Sequence, residues 1–182
     1  TTTVNAAGNT VTLSNSSNNF TGAVSINALT VDLEDTNAIV LGASNVTGNY
    51  AVEAGSAITQ SAALAITGVT TLEAGAGNNI TLDNTSNNFL NAVKITSGNN
   101  VTLVDADTID LGASTVSGTY SVTAGGPITD SGALAITGVT TLAAGSGNNI
   151  TLNTSTNNFA AAVGITSGNN VAITDEDAIV LG

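Results

Sequence analysis

Ala63–Gly112 reads ALAITGVTTLEAGAGNNITLDNTSNNFLNAVKITSGNNVTLVDADTIDLG, and Ala133–Gly182 reads ALAITGVTTLAAGSGNNITLNTSTNNFAAAVGITSGNNVAITDEDAIVLG. Laid over each other without gaps at an offset of 70 residues, they agree at 35 of 50 positions. Such self-similarity marks a repeat architecture and has to be read before any local pattern. The offset extends beyond the quoted stretches. Leu41-Gly42, Leu111-Gly112 and Leu181-Gly182 keep it, and Asn-Asn-Phe recurs at Asn18–Phe20, Asn87–Phe89 and Asn157–Phe159, with one residue missing from the first copy near Ala28. The chain divides into a partial repeat (1–62), a complete repeat (63–132) and a second partial repeat (133–182), all of one continuous architecture.

A finer period lies inside the long one. Gly98, Gly118, Gly138 and Gly168 are spaced by 20, 20 and 30 residues, and each is followed by a short alternating run such as Val101–Leu103, Tyr120–Val122, Thr140–Leu142 or Val171–Ile173. β-Branched residues at period two, broken every few residues by Gly, Asn, Asp or Ser, describe short strands joined by turns. Helical spacing is sustained nowhere. A coil of about twenty residues with three strands and three turns exposes its backbone above and below, and only another coil satisfies it. The expectation is an all-β parallel β-helix, or β-solenoid, with three coils of about 20, 20 and 30 residues per repeat. The third coil's extra residues, about ten, are expected to form a protruding loop around Asn153–Phe159. About eight coils at the sheet spacing of about 4.8 Å make a rod on the order of 40 Å long. The pairs Asn78-Asn79, Asn99-Asn100, Asn148-Asn149 and Asn169-Asn170 fit corners, through left-handed backbone and stacked amide ladders.

Composition excludes several functions. Thirteen acids stand against one base, Lys94, for a net charge of −12, which repels nucleic acid and anionic membrane surfaces. No run of eighteen apolar residues spans a bilayer. With no His and no Cys, Ser–His, Cys–His and His–metal schemes lack their parts, and a paired-carboxylate glycosidase is the remaining, disfavoured option. No catalytic, cofactor-binding or metal-ligating residue is assigned, and no enzymatic activity is expected. The acids do cluster, at Glu34-Asp35, at Asp105 and Asp107, and at Asp175-Glu176-Asp177, joined by Asp32 and Asp110. Oxygen-rich corners are the chemistry of calcium, but solvated turns whose Asp residues cap the local backbone account for them with less.

Other motifs take structural readings. Gly145-Ser146-Gly147 has no Lys behind it and reads as a turn. The Asn-x-Ser/Thr sequons at Asn45, Asn79 and Asn100 are what an Asn- and Thr-rich chain produces by composition. Phe20, Phe89, Phe159, Tyr50 and Tyr120 recur with the repeat and are expected to anchor core or loop. An ice-binding Thr array is a minor reading, since Thr102 is followed by Ser121, Thr141 and then Ala172 in the expected stacking. Thr1 begins inside a repeat and Gly182 ends on a landmark without a cap. That points to an excerpt of a longer chain or to neighbouring molecules that cover the ends.

The phrases ITDSGALAITGVTTL (Ile128–Leu142), NNITLNTSTNNF (Asn148–Phe159) and LGASTVSGTYSVTAGG (Leu111–Gly126) resemble the repeats of filamentous-haemagglutinin-like giant bacterial surface adhesins, secreted by two-partner or autotransporter routes. The resemblance covers the whole chain and is one of repeat style. It implies a right-handed β-helical shaft on the cell surface or in the extracellular space, roles in attachment and biofilm, and no cofactor. Its implied partners are neighbouring repeats or copies of the chain end to end, with host-cell or matrix ligands bound by regions outside these residues. The alternatives are a segment of a self-assembling extracellular filament or sheath and, less favoured, a glycan- or ice-binding module.

Overall fold

The computed structural model describes residues 1–182. The chain forms twenty-one strands and no helix, joined in a single sheet. Every strand pairing is parallel, as between Val31–Asp35 and Tyr50–Ala54 or between Val101–Leu103 and Ile80–Leu82. The chain is a parallel β-solenoid of about nine turns, each of about twenty residues. Alternation produces it. In Val101–Asp105 the residues Val101, Leu103 and Asp105 point inward while Thr102 and Val104 are half-buried on the outer face. The inward residues join one contiguous core of thirty-nine apolar side chains from Val11 to Val163.

Strand register shows how the 70-residue repeat maps onto the coils. Val31 pairs with Tyr50, Tyr50 with Thr70, Thr70 with Val93 and Val93 with Leu111, in steps of 19, 20, 23 and 18 residues. One repeat later, Val101 pairs with Tyr120, Tyr120 with Thr140, Thr140 with Val163, and Val163 with Leu181. These equivalent residues form a second column. It reaches back through Ile80 and Ile58 to Ile39, and Ile39 lies about half a coil beyond Val31. Three full coils carry Val31 to Val93, and a further half coil reaches Val101. One repeat is therefore three and a half coils, and successive copies sit on opposite sides of the rod.

This corrects the expected division into 20, 20 and 30. No coil has thirty residues, because Gly98, Gly118, Gly138 and Gly168 do not all lie on one side. Within a repeat, a single strand on one side alternates with a broken pair on the other. Tyr50–Ala54 is followed by Ile58–Gln60 and Leu64–Ile66, then by Thr70–Glu73, then by Ile80–Leu82 and Asn88–Phe89. Most coils thus hold three strands. The expected protruding loop is also smaller than anticipated. Residues 153–156 turn at the surface, but Asn157 and Phe159 fold back and are buried.

The Asn corners stack as expected, by a different backbone. Asn79 Oδ1 accepts from the backbone and side-chain N–H groups of Asn100 at 3.2 Å each, and Asn100 Oδ1 accepts from the Thr119 amide at 3.0 Å. No residue other than Gly has positive φ, so the left-handed reading fails. The corners are built from amide-to-backbone bonds instead. The threonine row is also redrawn. Thr59, Thr81, Thr102, Ser121 and Thr141 are successive rungs followed by Gly164, whereas Ala172 pairs with Thr151 on the other side.

Two corners bring backbone against backbone. The Gly138 amide donates to the Gly118 carbonyl at 2.9 Å, and a Cβ on Gly138 would lie 2.4 Å from that oxygen. By contrast, a Cβ on Gly147 would meet nothing within 4 Å. Gly138→Ala is expected to lower stability by about 1–3 kcal/mol. Gly147→Ala should leave it unchanged or raise it by about 0.4–1 kcal/mol through the unfolded chain. Urea denaturation of the two variants compares them directly.

Candidate functional site

Of the acidic residues singled out by sequence, Asp35, Asp105 and Asp175 sit at coil corners and bond to backbone, whereas Asp32, Glu34 and Asp110 lie within strands. Asp35 Oδ2 accepts from the Phe20 amide at 2.9 Å, and Oδ1 from the Asn37 amide at 2.9 Å. Asp105 repeats this with the amides of Phe89 (2.9 Å) and Asp107 (2.8 Å), and Asp175 with those of Phe159 (3.3 Å) and Asp177 (3.5 Å). The residue after each aspartate donates its own amide to the coil before: Thr36 to the Asn18 carbonyl at 2.8 Å, Ala106 to Asn87 at 2.8 Å, and Glu176 to Asn157 at 2.7 Å. Each corner is thus a clip that holds Asn-Asn-Phe of one coil under the next.

The clip places Asp105 out of water, at 2% exposure. Burial raises its carboxyl above the ordinary carboxylate range, against the lowering effect of its two backbone N–H partners. Asp107 next to it is exposed and accepts from the Asn88 side chain at 3.3 Å. Across the repeat, Glu176 takes the matching bond from Asn158 at 2.6 Å. Nowhere do three acidic side chains converge on one point.

The asparagine that opens Asn-Asn-Phe has a role that sequence reading treated only as a landmark. Asn87 is fully buried. Its Oδ1 accepts from the Leu64 amide at 3.0 Å and from Gln60 Nε2 at 2.8 Å, and its Nδ2 donates to Gln60 Oε1 at 2.9 Å. Asn157, also fully buried, repeats the bond to the Leu134 amide at 2.9 Å and donates to Asp130 at 2.7 Å. The signal was present. All four residues at 83–86 differ from those at 153–156, yet the Asn-Asn-Phe after them is retained. A fixed Asn after a variable turn is one whose side chain satisfies buried backbone.

The aromatic residues line no binding face. Tyr50 and Tyr120 are fully buried, Phe89 and Phe159 nearly so, and Phe20 partly. The Tyr50 hydroxyl lies near Ser44, whose Oγ is already bonded to the Ile26 amide and the Gly42 carbonyl. The phenol finds no well-formed partner of its own. Burial pushes both tyrosine hydroxyls far above their usual range, with the neighbouring Ser44 or Ser114 opposing it slightly.

One acidic feature is a ladder. Glu34, Glu53 and Glu73 lie in register on three successive strands of one side. Their counterparts one repeat on, across the rod, are Val104, Thr123 and Ala143. Like charges directly opposite on neighbouring strands destabilise a sheet.

A profile of repeats of unknown function (DUF5649) matches residues 1–27, 28–96 and 98–166. The chain belongs to this repeat family. No curated protein and no solved structure matches it. Set against the DUF5649 units, the clip joins one unit to the next. Phe20 lies in the first unit and its acceptor Asp35 in the second, while Phe89 lies in the second and Asp105 in the third.

Removing the Asp105 carboxylate leaves two N–H groups without a partner. Asp105→Ala is therefore expected to cost about 1–3 kcal/mol in chemical denaturation. Because the folded-state value is raised, the folded form binds its proton first as pH falls. Stability should increase as pH drops from neutrality toward the ordinary carboxylate range. Melting temperatures across that window, with a flatter profile for Asp105→Asn, check the sign. Glu53→Thr, which installs the residue of the other side, should stabilise by roughly 0.2–1 kcal/mol. That gain should shrink at high salt, measured by the same melts.

Proposed function

We propose that this chain is a non-enzymatic structural shaft of a secreted or cell-surface adhesin, holding binding regions elsewhere in the protein away from the cell. The observation that carries the reading is that one continuous parallel sheet takes up the chain, coil upon coil, with no inserted domain. About nine coils at about 4.8 Å make a rod of roughly 40 Å. Such an object adds reach in proportion to its repeats. The absence of His and Cys from the sequence removes Ser–His, Cys–His and His–metal schemes and supports a mechanical role. The resemblance to filamentous-haemagglutinin-like repeats supports an extracellular location, attachment and biofilm roles, and a right-handed winding.

A second reading is a segment of a self-assembling filament or sheath, in which coils of neighbouring molecules stack end to end through the same backbone pairing that stacks them within the chain.

Purified chain added in excess is expected to leave attachment of the producing cells unchanged, while deletion of one unit from the full-length protein reduces it. Competition by the purified chain would overturn the shaft. Concentration-dependent growth into long polymers in sedimentation velocity would establish the filament instead.

A further inference from the structure

A groove of about 420 Å³ opens on one side of the rod, where the first two coils meet the third. The step in the fold creates it. Thr2–Ala6 and Val24–Ala28 run straight through this side, whereas the next coil breaks between Ile39–Leu41 and Ser44–Val46. Ser44 fixes the break, with its hydroxyl accepting from the Ile26 amide at 3.0 Å and donating to the Gly42 carbonyl at 3.1 Å. Along the groove, Asn5, Asn27 and Asn45 stand in register on three successive coils, and Asn27 Nδ2 donates to Asn5 Oδ1 at 3.2 Å. Thr3 and Ser25 add hydroxyls beside this row, and Ala43 and Ala63 add apolar surface.

We infer that this groove is a binding site for an uncharged glycan lying along the rod axis. No lining residue is acidic or basic. Anions meet no cation there and are repelled by the net charge of −12, and a cation finds no carboxylate. Carboxamides and hydroxyls both donate and accept, as sugar hydroxyls do, and alanine methyls suit the C–H faces of a sugar ring. The size falls within the range of small-ligand sites.

The repeat supplies an internal control. At the equivalent crease on the other side, Ser114 again accepts from the Ile95 amide at 3.3 Å. There Ser25 is replaced by Lys94, Asn27 by Thr96 and Asn45 by Thr115. The stem of Lys94 lies over Gly112, where a Cβ would come within 2.6 Å of its Cγ, and no groove opens there. The scaffold is retained while the groove-facing residues differ. The inference goes beyond the shaft reading, since a rod serves as a shaft with or without the groove.

The test is an NMR titration of the whole chain with cellohexaose, maltohexaose and mannohexaose, using oligogalacturonate as an anionic control. At least one neutral hexamer is expected to shift the amides of Ser25, Asn27, Ala43 and Asn45, with Kd on the order of 1 mM. Asn27→Ala with Asn45→Ala should weaken it roughly tenfold. Ser25→Lys should abolish it without loss of fold, because lysine is native at the equivalent position. Silence of these amides to all three neutral sugars at about 10 mM would overturn the inference. So would undiminished binding by Ser25→Lys, or equal binding of oligogalacturonate.

Discussion

A lone coil of this chain leaves its N–H and C=O groups pointing up and down the axis, and only another coil can take them. Hydrogen bonding along the axis is therefore the constraint on which the rest depends. It explains why corners are made of Asn, Asp and Gly. At each corner the strand pairing lapses, and side chains such as Asp105 and Asn87 take over the bonds the strands no longer make. It also explains why glycines stack at Gly118 and Gly138, where backbone must approach backbone.

The clips make neighbouring family units interdependent. Each aspartate reaches into the unit before it, so a lone unit would lack one partner of the bond. This is the nearest-neighbour logic of repeat proteins, in which interfaces between units carry much of the stability. The buried, unpaired hydroxyls of Tyr50, Thr70, Tyr120 and Thr140 work against it. They recur at the same places in both copies, and the pairing of tyrosine over threonine fills the core at some polar cost.

Much of the fold was legible in the sequence. Period-two alternation in stretches such as Tyr120–Val122 identified strands, and their short length identified coils. The half-coil offset was not legible, because Gly98 and Gly168 have the same local pattern although they lie on opposite sides of the rod. Only long-range pairing distinguishes Val93 over Leu111 from Val101 over Tyr120. The clip was half legible. Asp105 as a backbone cap follows from its residue type at a turn, but Asn87 looked like one polar residue among many until its burial was known. The groove at Asn27 and Asn45 was invisible for a related reason. These positions are separated by a turn, and register alone makes them neighbours.

Three and a half coils per repeat has a consequence for how such proteins change length. Gain or loss of one 70-residue unit alters the rod's length and also turns everything beyond it through half a revolution. Whatever sits farther along would then face the opposite direction. Two units restore the original heading. Copy number in this architecture is therefore two variables at once, distance and azimuth. Recombination between near-identical copies shifts both together, so odd and even arrays differ in which way their distal surfaces are aimed.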